Sequence, residues 1–250
     1  MRPLRRLVAV VGVLAAPVLP AACVGPSPPV VHPGVPALPD SSAPVLPPPE
    51  RAAFVLRRGA DTVVVERFSR TRDLLSGDID VRGQGSIEYQ ASIDYPAQTV
   101  SRILVGVVPA STPKATATQR ATAVFRADSV IVENVSGDST RTSRYATQAG
   151  AVPYLNPSMA MAEQIVRRAR VVGGPQGRPA NPVPLPVFVA GSGGQTVVAT
   201  VTFAGADSVQ LILGGTTLRF AVDRNGRIVG GVVPAQGLTI ERTGELARKP

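Results

Sequence analysis

The segment from Thr196 to Arg242 restricts the fold most strongly, because tight-turn residues repeatedly interrupt short apolar and polar alternations. Side chains on one face of a strand recur at every second position, as Val201 and Phe203 do here. Asn225-Gly226 is a strong signal for a two-residue hairpin, because a type I′ turn needs positive φ at both positions. The segment therefore predicts a series of antiparallel hairpins.

One turn sequence of this segment recurs elsewhere in the chain. Ala206-Asp207-Ser208-Val209 is repeated as Ala127-Asp128-Ser129-Val130 and nearly repeated as Ala60-Asp61-Thr62-Val63. Asp is frequent in turns because its side chain hydrogen-bonds to the nearby backbone. The repetition indicates either a duplicated meander or one favoured turn that is used several times.

The period-two pattern also extends through the first half of the chain. Ile87, Tyr89 and Ile93 share one face of a predicted strand, and a further strand follows at Val100 to Val108. Only 17% of the residues are charged, and Thr and Val are frequent, which suits the pleated surface of a sheet. We predict a mainly all-β fold, built as a curved antiparallel meander or a half-open barrel.

A single helix is predicted to interrupt the strands. Asn156-Pro157 combines a capping side chain with proline at the first helical position, and Met159 and Ile165 belong to an apolar stripe with helical spacing. We place this helix at residues 157–170 and pack it on the sheet. It would act either as a plug that fills the concave side or as a lid over a cavity.

The N-terminal residues 1–23 have the features of an exported leader, with a basic start, an apolar stretch and small residues at the end. The single cysteine, Cys23, follows Leu19-Pro20-Ala21-Ala22, which resembles a bacterial lipobox. Pro20 departs from that pattern, which prefers leucine there. We predict lipid attachment at Cys23, and the alternative is ordinary cleavage nearby that leaves a soluble secreted protein.

Residues 24–50 include ten prolines among 27 positions and predict a tether close to polyproline II. Residues 51–250 are then expected to form a single β-rich domain. A leader followed by a tether predicts an exported protein of the bacterial cell envelope, either anchored to the membrane through an acyl group or secreted.

No catalytic or metal-binding pattern stands out in the sequence. Ser111-Thr-Pro-Lys114 matches S-x-x-K, but the S-D-N and K-T-G partners of serine acyl-enzymes are absent. One Cys and one His exclude a disulfide framework within one chain and any metal site that needs a pair of Cys or a pair of His ligands. Asp223-Arg-Asn225-Gly226 lacks the later acidic ligands of a calcium loop. We therefore predict that the protein is not an enzyme and uses neither a metal nor a cofactor.

The net charge of +9 does not indicate a nucleic-acid partner. Basic residues are scattered after the leader, aromatic residues make up only 4%, and tryptophan is absent. Single-stranded nucleic acids are usually bound on aromatic stacking platforms, which this composition does not supply. No protein partner is indicated either, and the expected contact is with a membrane through the acyl anchor.

The leader, the lipobox-like Cys23, the tether and a long meander interrupted by a helix together resemble the LolA/LppX-like lipoprotein carriers of bacteria. The resemblance covers residues 51–242 at the level of pattern. It implies a curved half-barrel with an apolar cavity that holds lipid. The residues expected to face such a ligand are Ile87, Tyr89, Ile93, Met159, Ile165, Val201, Phe203, Leu211 and Phe220.

The leading functional hypothesis is an exported, lipid-anchored envelope protein that binds a lipid or another apolar ligand in a curved sheet. The alternative is a non-enzymatic structural or protein-interaction module with a filled core. A third hypothesis is an accessory domain of an exported hydrolase system that acts by contact. The size of the interior distinguishes the first two, because ligand cavities usually exceed about 300 Å³.

Overall fold

A computed structural model of the chain describes residues 49–110, 119–173, 182–191 and 194–244. The predicted leader with Cys23 and nearly all of the tether lie outside these residues, as does the segment from Ser111 to Lys114. Glu50, the last residue of the predicted tether, is the first residue of the first strand.

Two runs of strands make up the described chain. The first run consists of β1 (Glu50–Arg58), β2 (Asp61–Arg70), β3 (Leu74–Val81), β4 (Gly85–Asp94), β5 (Thr99–Pro109), β6 (Gln119–Phe125), β7 (Ser129–Ser136) and β8 (Ser139–Ala146). The second run consists of β9 (Val152–Leu155), helix α1 (Met159–Val172), β10 (Val183–Ala190), β11 (Gln195–Ala204), β12 (Ser208–Leu213), β13 (Thr216–Val222), β14 (Ile228–Val233) and β15 (Leu238–Thr243).

All these strands belong to one sheet of 15 strands, in the order β8 to β1 followed by β15 to β9. Neighbouring strands are antiparallel, except that β9 and β10, which flank α1, are parallel. The two runs meet where β1 pairs with β15, with Ala53 opposite Thr243. The sheet is curved and unclosed, and the Thr196 hydroxyl of β11 donates to the Ala146 carbonyl of β8 at 3.1 Å. The prediction of a mainly all-β fold is confirmed, and α1 is the one α-helix in the part of the chain that the structure describes.

The helix begins at Met159, two residues later than predicted. Ser158 is the cap, because its hydroxyl accepts a hydrogen bond from the Met161 amide at 3.0 Å, and Asn156 does not take this role. The helix also continues beyond Arg170, to Val172. Its nine buried residues include Ile165, so that α1 fills the part of the concave side that it covers, as the plug hypothesis expects.

Two strands next to the helix were not predicted. β9 has only four residues, which is short for a period-two pattern. β10 contains Pro184 and Pro186, and prolines within a run argue against a strand. Proline is tolerated at a strand edge, where its missing N–H deprives no neighbour of a hydrogen bond. Both prolines precede Val187, the first residue of β10 that pairs with β9, so that this part of β10 has a partner on one side only.

The repeated turn makes the same long-range backbone hydrogen bond in both runs of strands. The Asp128 carbonyl at the β6–β7 turn accepts from the Thr147 amide at 2.9 Å, just beyond β8. The Asp207 carbonyl at the β11–β12 turn accepts from the Val222 amide at 2.7 Å, at the end of β13. In each case the aspartate fastens the end of the third strand of a meander to its first turn.

Candidate ligand-binding site

A cavity of about 740 Å³ lies between the concave face of β4–β8 and the facing strands β9 and β10. Helix α1 contacts β2, β9 and β10. The concave face of the sheet is therefore packed where α1 covers it, and it is hollow over β5–β8.

Small side chains at the centre of β6 leave the space that forms this cavity. Ala121 lies between Val105 on β5 and Asn134 on β7, and Ala123 lies between Ile103 and Val132 in the next row of the sheet. All six of these side chains line the cavity. Because an alanine side chain ends at Cβ, the middle of this wall is set back between taller neighbours.

Aromatic rings form one end of the cavity. The rings of Tyr145 and Phe188, which both line it, have centroids 5.7 Å apart, and Phe125 lies edge-on to Phe188 at 5.8 Å. Gly194 packs closely against this cluster, since a Cβ atom there would lie 2.8 Å from Cζ of Phe188. The absence of a side chain at Gly194 therefore permits the aromatic end to close.

Polar side chains surround the mouth of the cavity. Asn134 and Arg141 lie opposite each other on β7 and β8, with Gln119 and Ser136 in the adjacent row. Arg120 reaches the rim from the other face of β6, because successive side chains of a strand alternate between faces. Among the described residues that line the cavity there is no Asp or Glu, so that the mouth is positively charged.

A second cavity of about 230 Å³ lies near the start of α1, where Leu56, Tyr154, Met159, Leu213, Leu218 and Leu238 contribute to its lining. Its volume is below the range of about 300–1,000 Å³ that is usual for ligand pockets. The larger cavity is thus the better candidate site.

The residues expected to face a ligand fall into three groups. Ile87 lines the larger cavity and Met159 lines the smaller one. Phe203 is partly buried against the core, with the Arg170 guanidinium 5.5 Å from its ring centre. The residues buried in the core are Tyr89, Ile93, Ile165, Val201, Leu211 and Phe220.

Most of the lining of the larger cavity was missed because the sequence does not show how far α1 extends over the sheet. The alternation of Ile103, Val105 and Val107 was a usable signal, since it places three apolar side chains on one face of β5. Phe188 was harder to find because it follows Pro184 and Pro186 within a segment that resembles a loop.

The start of α1 is held by a buried carboxylate on β2. Glu66 accepts hydrogen bonds from the Tyr89 hydroxyl at 2.7 Å and the Ser158 hydroxyl at 2.5 Å, and from the amides of Met159 and Ala160 at 2.6 and 3.0 Å. Burial raises the pKa of Glu66, an effect that these four hydrogen bonds offset in part. The group caps the helix N-terminus, where negative charge is favourable.

A second buried cluster fixes the middle of the helix. Glu163 accepts from Arg167 on the next turn, at 2.8 and 3.0 Å, and from Arg242 on β15, at 2.7 Å. Its second oxygen also accepts from the Ile228 amide at 2.9 Å, and Arg70 lies 3.6 Å away. Arg242 also pairs with Glu50, and its guanidinium lies 5.2 Å from the ring centre of Phe54.

In this cluster, burial and the neighbouring charges shift the pKa of Glu163 in opposite directions. Burial alone would raise the pKa of Glu163, but the positive charges of Arg70, Arg167 and Arg242 outweigh that effect and lower it below the ordinary value. Burial lowers the pKa of Arg70 to about 10, against the favourable charge of Glu163. Neither Glu66 nor Glu163 lines either cavity described above, so both act on the position of α1.

Two further findings concern the described residues alone. They contain no group of three or more His, Cys, Asp and Glu side chains that could hold a metal ion. No helix among them is long and apolar enough to cross a membrane.

Comparison with known proteins finds a similarity to a solved structure. No protein-family model matches the sequence, and no curated protein matches it. A crystal structure described as a beta-barrel-like protein of domain of unknown function DUF1849, from Brucella abortus, is similar to this chain with a TM-score of 0.44 and 12% sequence identity. The match covers 81% of this chain and 98% of that one. The assignment to the all-β class rests on the strands and helix described above.

Proposed function

We propose that the protein is an exported, non-enzymatic envelope protein, anchored to a membrane through Cys23, that binds a lipid or another apolar ligand. The observation that carries the proposal is the cavity of about 740 Å³, whose volume falls within the range of about 300–1,000 Å³ that ligand pockets occupy. The resemblance of the sequence pattern to LolA/LppX-like carriers supports the same reading.

The lining of the cavity supplies a driving force for such a ligand. Ile87, Val105 and Val107 line the hollow and stay partly exposed, whereas Leu75 and Ile79 on β3 are fully buried. A ligand that covers the exposed apolar surface gains about 25 cal/mol for each square ångström removed from water. The free energy gained by binding therefore grows with the apolar area that the ligand covers.

The competing function is a structural or interaction module with a filled core. The burial of α1 favours it, because the helix occupies the interior over β2, β9 and β10. The two functions differ in what they predict for the hollow over β5–β8, which a ligand would occupy in the first case only.

Filling the hollow should abolish ligand binding. We expect native mass spectrometry of the purified full chain, offered a mixture of envelope lipids, to detect a bound apolar molecule, and Ala121→Phe to reduce the occupied fraction at least about tenfold, because the new ring takes up space at the centre of the wall. Thr122→Phe is the matched control, since it adds the same ring on the opposite face of β6.

If the Ala121→Phe variant carries as large a ligand-bound fraction as the Thr122→Phe variant, the ligand binds outside this cavity. A wild-type protein that never carries an apolar molecule, even when offered one, would favour the structural module. Circular dichroism of each variant shows whether the fold is retained, so that a loss of binding can be assigned to the cavity.

The anchor has a separate test. We expect the protein isolated from its bacterial host to carry a diacylglyceryl modification on Cys23, detectable as added mass, and to partition into the membrane fraction. Cys23→Ser removes the thiol that is acylated and should shift the protein to the soluble fraction. An unmodified Cys23, or processing that is insensitive to globomycin, would contradict the anchor without affecting the cavity.

A further inference from the structure

The chemistry of the larger cavity changes in one direction along its strands. The register of β6, β7 and β8 places side chains in three successive rows, namely Phe125, Val130 and Tyr145; Ala123, Val132 and Ser143; and Ala121, Asn134 and Arg141. The first row is aromatic and aliphatic, and Tyr145 is its member that lines the cavity, whereas the third row ends in an amide and a guanidinium. A ligand that lies along the strands would thus meet an apolar end and a polar, cationic end.

The two ends are separated by a distance that suits an amphiphile. Arg141 and Tyr145 are four residues apart on β8 and share one face of the strand. A strand rises about 3.4 Å per residue, so about 14 Å of strand lies between them. An alkyl chain that starts at the guanidinium can therefore run past Ser143 to the rings of Tyr145 and Phe188.

The described residues do not balance the charge at the mouth of the cavity. Within the described residues no carboxylate pairs with Arg141, and no described acidic residue lines the cavity. Arg144, on the opposite face of the same strand, differs in this respect because it pairs with Asp128 at 3.0 Å. An unbalanced guanidinium at the edge of an apolar hollow favours an anion, and its planar fork suits the two oxygens of a carboxylate.

We infer that the ligand is a single-chain anionic amphiphile, with its carboxylate at Arg141 and its alkyl chain directed toward Tyr145 and Phe188. The Asn134 side-chain amide, opposite Arg141, supplies a second donor for the headgroup. This inference rests on the proposed function, because it names the class of ligand that the same cavity takes.

The test compares two probes that differ only in the headgroup. Isothermal titration of the full chain with dodecanoate and with dodecanol should show that dodecanoate binds about 10- to 100-fold more tightly, as expected for hydrogen bonds to a charged group. Arg141→Gln should bring the affinity for dodecanoate down to that for dodecanol and leave the affinity for dodecanol unchanged. Arg141→Lys keeps the charge without the fork and should retain part of the preference.

Arg144→Gln is the matched control, since it removes a guanidinium from the outer face of β8 and should leave both affinities unchanged. If Arg141→Gln keeps the full preference for dodecanoate, or if dodecyltrimethylammonium binds the wild type as well as dodecanoate does, the inference is overturned while the proposed function stands. If neither dodecanoate nor dodecanol binds the wild type, the inference is overturned, and the lipid mixture offered in native mass spectrometry decides the proposed function separately.

Discussion

Replacing Glu163 by glutamine should lower the free energy of unfolding by about 3–5 kcal/mol, because removal of one member of a buried ion cluster leaves its partners uncompensated. Arg70, whose side chain is 5% exposed, would keep its charge without the nearby carboxylate. The new amide group would also direct hydrogens toward the Ile228 amide or a guanidinium, which are donors themselves. Urea unfolding followed by circular dichroism measures the loss.

Glu133→Gln makes the same chemical change at an exposed position on β7 and should alter stability by less than about 0.5 kcal/mol. The pH dependence gives a second check. The folded-state pKa of Glu163 lies below 4.5, so its contribution is fully present above 4.5 and is lost as the pH falls through the folded-state value. The stability difference between wild type and Glu163→Gln should therefore shrink in acid, and a difference that grows there would contradict the ion cluster.

Glu66→Leu should be similarly damaging, with a loss of at least about 3 kcal/mol, because each buried donor left without an acceptor costs about 1–3 kcal/mol. Four donors lose their partner, including the first two amides of α1. Glu66→Gln is the informative comparison, since its amide oxygen can still accept while the Tyr89 and Ser158 hydroxyls can turn and accept in their turn. Chemical denaturation should rank the wild type first, Glu66→Gln second and Glu66→Leu third.

The pH dependence at Glu66 should have the opposite sign to that at Glu163. Burial raises the folded-state pKa of Glu66 above 4.5, so the stability that this group contributes is fully present below 4.5 and is lost as the pH rises through the folded-state value. The advantage of wild type over Glu66→Leu should therefore decrease as the pH rises from 4.5. An advantage that increases over this range would mean that the hydrogen bonds outweigh burial.

Local patterns were sufficient to predict most of the strands. Tyr89 and Ile93 lie on one face of β4, as the sequence indicates. Asn225-Gly226 lies in the turn that joins β13 to β14, but the prediction of a two-residue type I′ turn is wrong, because Gly226 has a positive φ and Asn225 does not, and the Asp223 amide donates to the Arg227 carbonyl around a longer loop. The region between β9 and β10 was predicted less well, because Ser158 replaces Asn156 as the cap and because prolines occupy β10. In both places a partner distant in sequence decides the structure. Glu66 accepts a hydrogen bond from the first amide of the helix, and β9 pairs with only part of β10.

The buried polar clusters were not predicted, although β2 contains a signal for them. Val64, Glu66, Phe68 and Arg70 follow one another at every second position, so that two ionisable side chains share a face with two apolar ones. Such a face is either partly solvated or buried with partners for its charges. The alternation on β5 indicates an apolar face but not that this face borders a hollow, because the hollow depends on where a helix distant in sequence stops covering the sheet.

The pairing of β1 with β15 also limits the order in which the molecule can assemble. Each run of strands is joined mainly by short turns, so its hairpins form from residues that are close in the chain. The seam between the runs joins Ala53 to Thr243, and the whole intervening chain must be closed as a loop before it forms. Contacts of such high sequence separation slow folding. A newly made chain would thus contain two partly folded runs of strands, and the edge of β1 would stay unpaired until β15 is made.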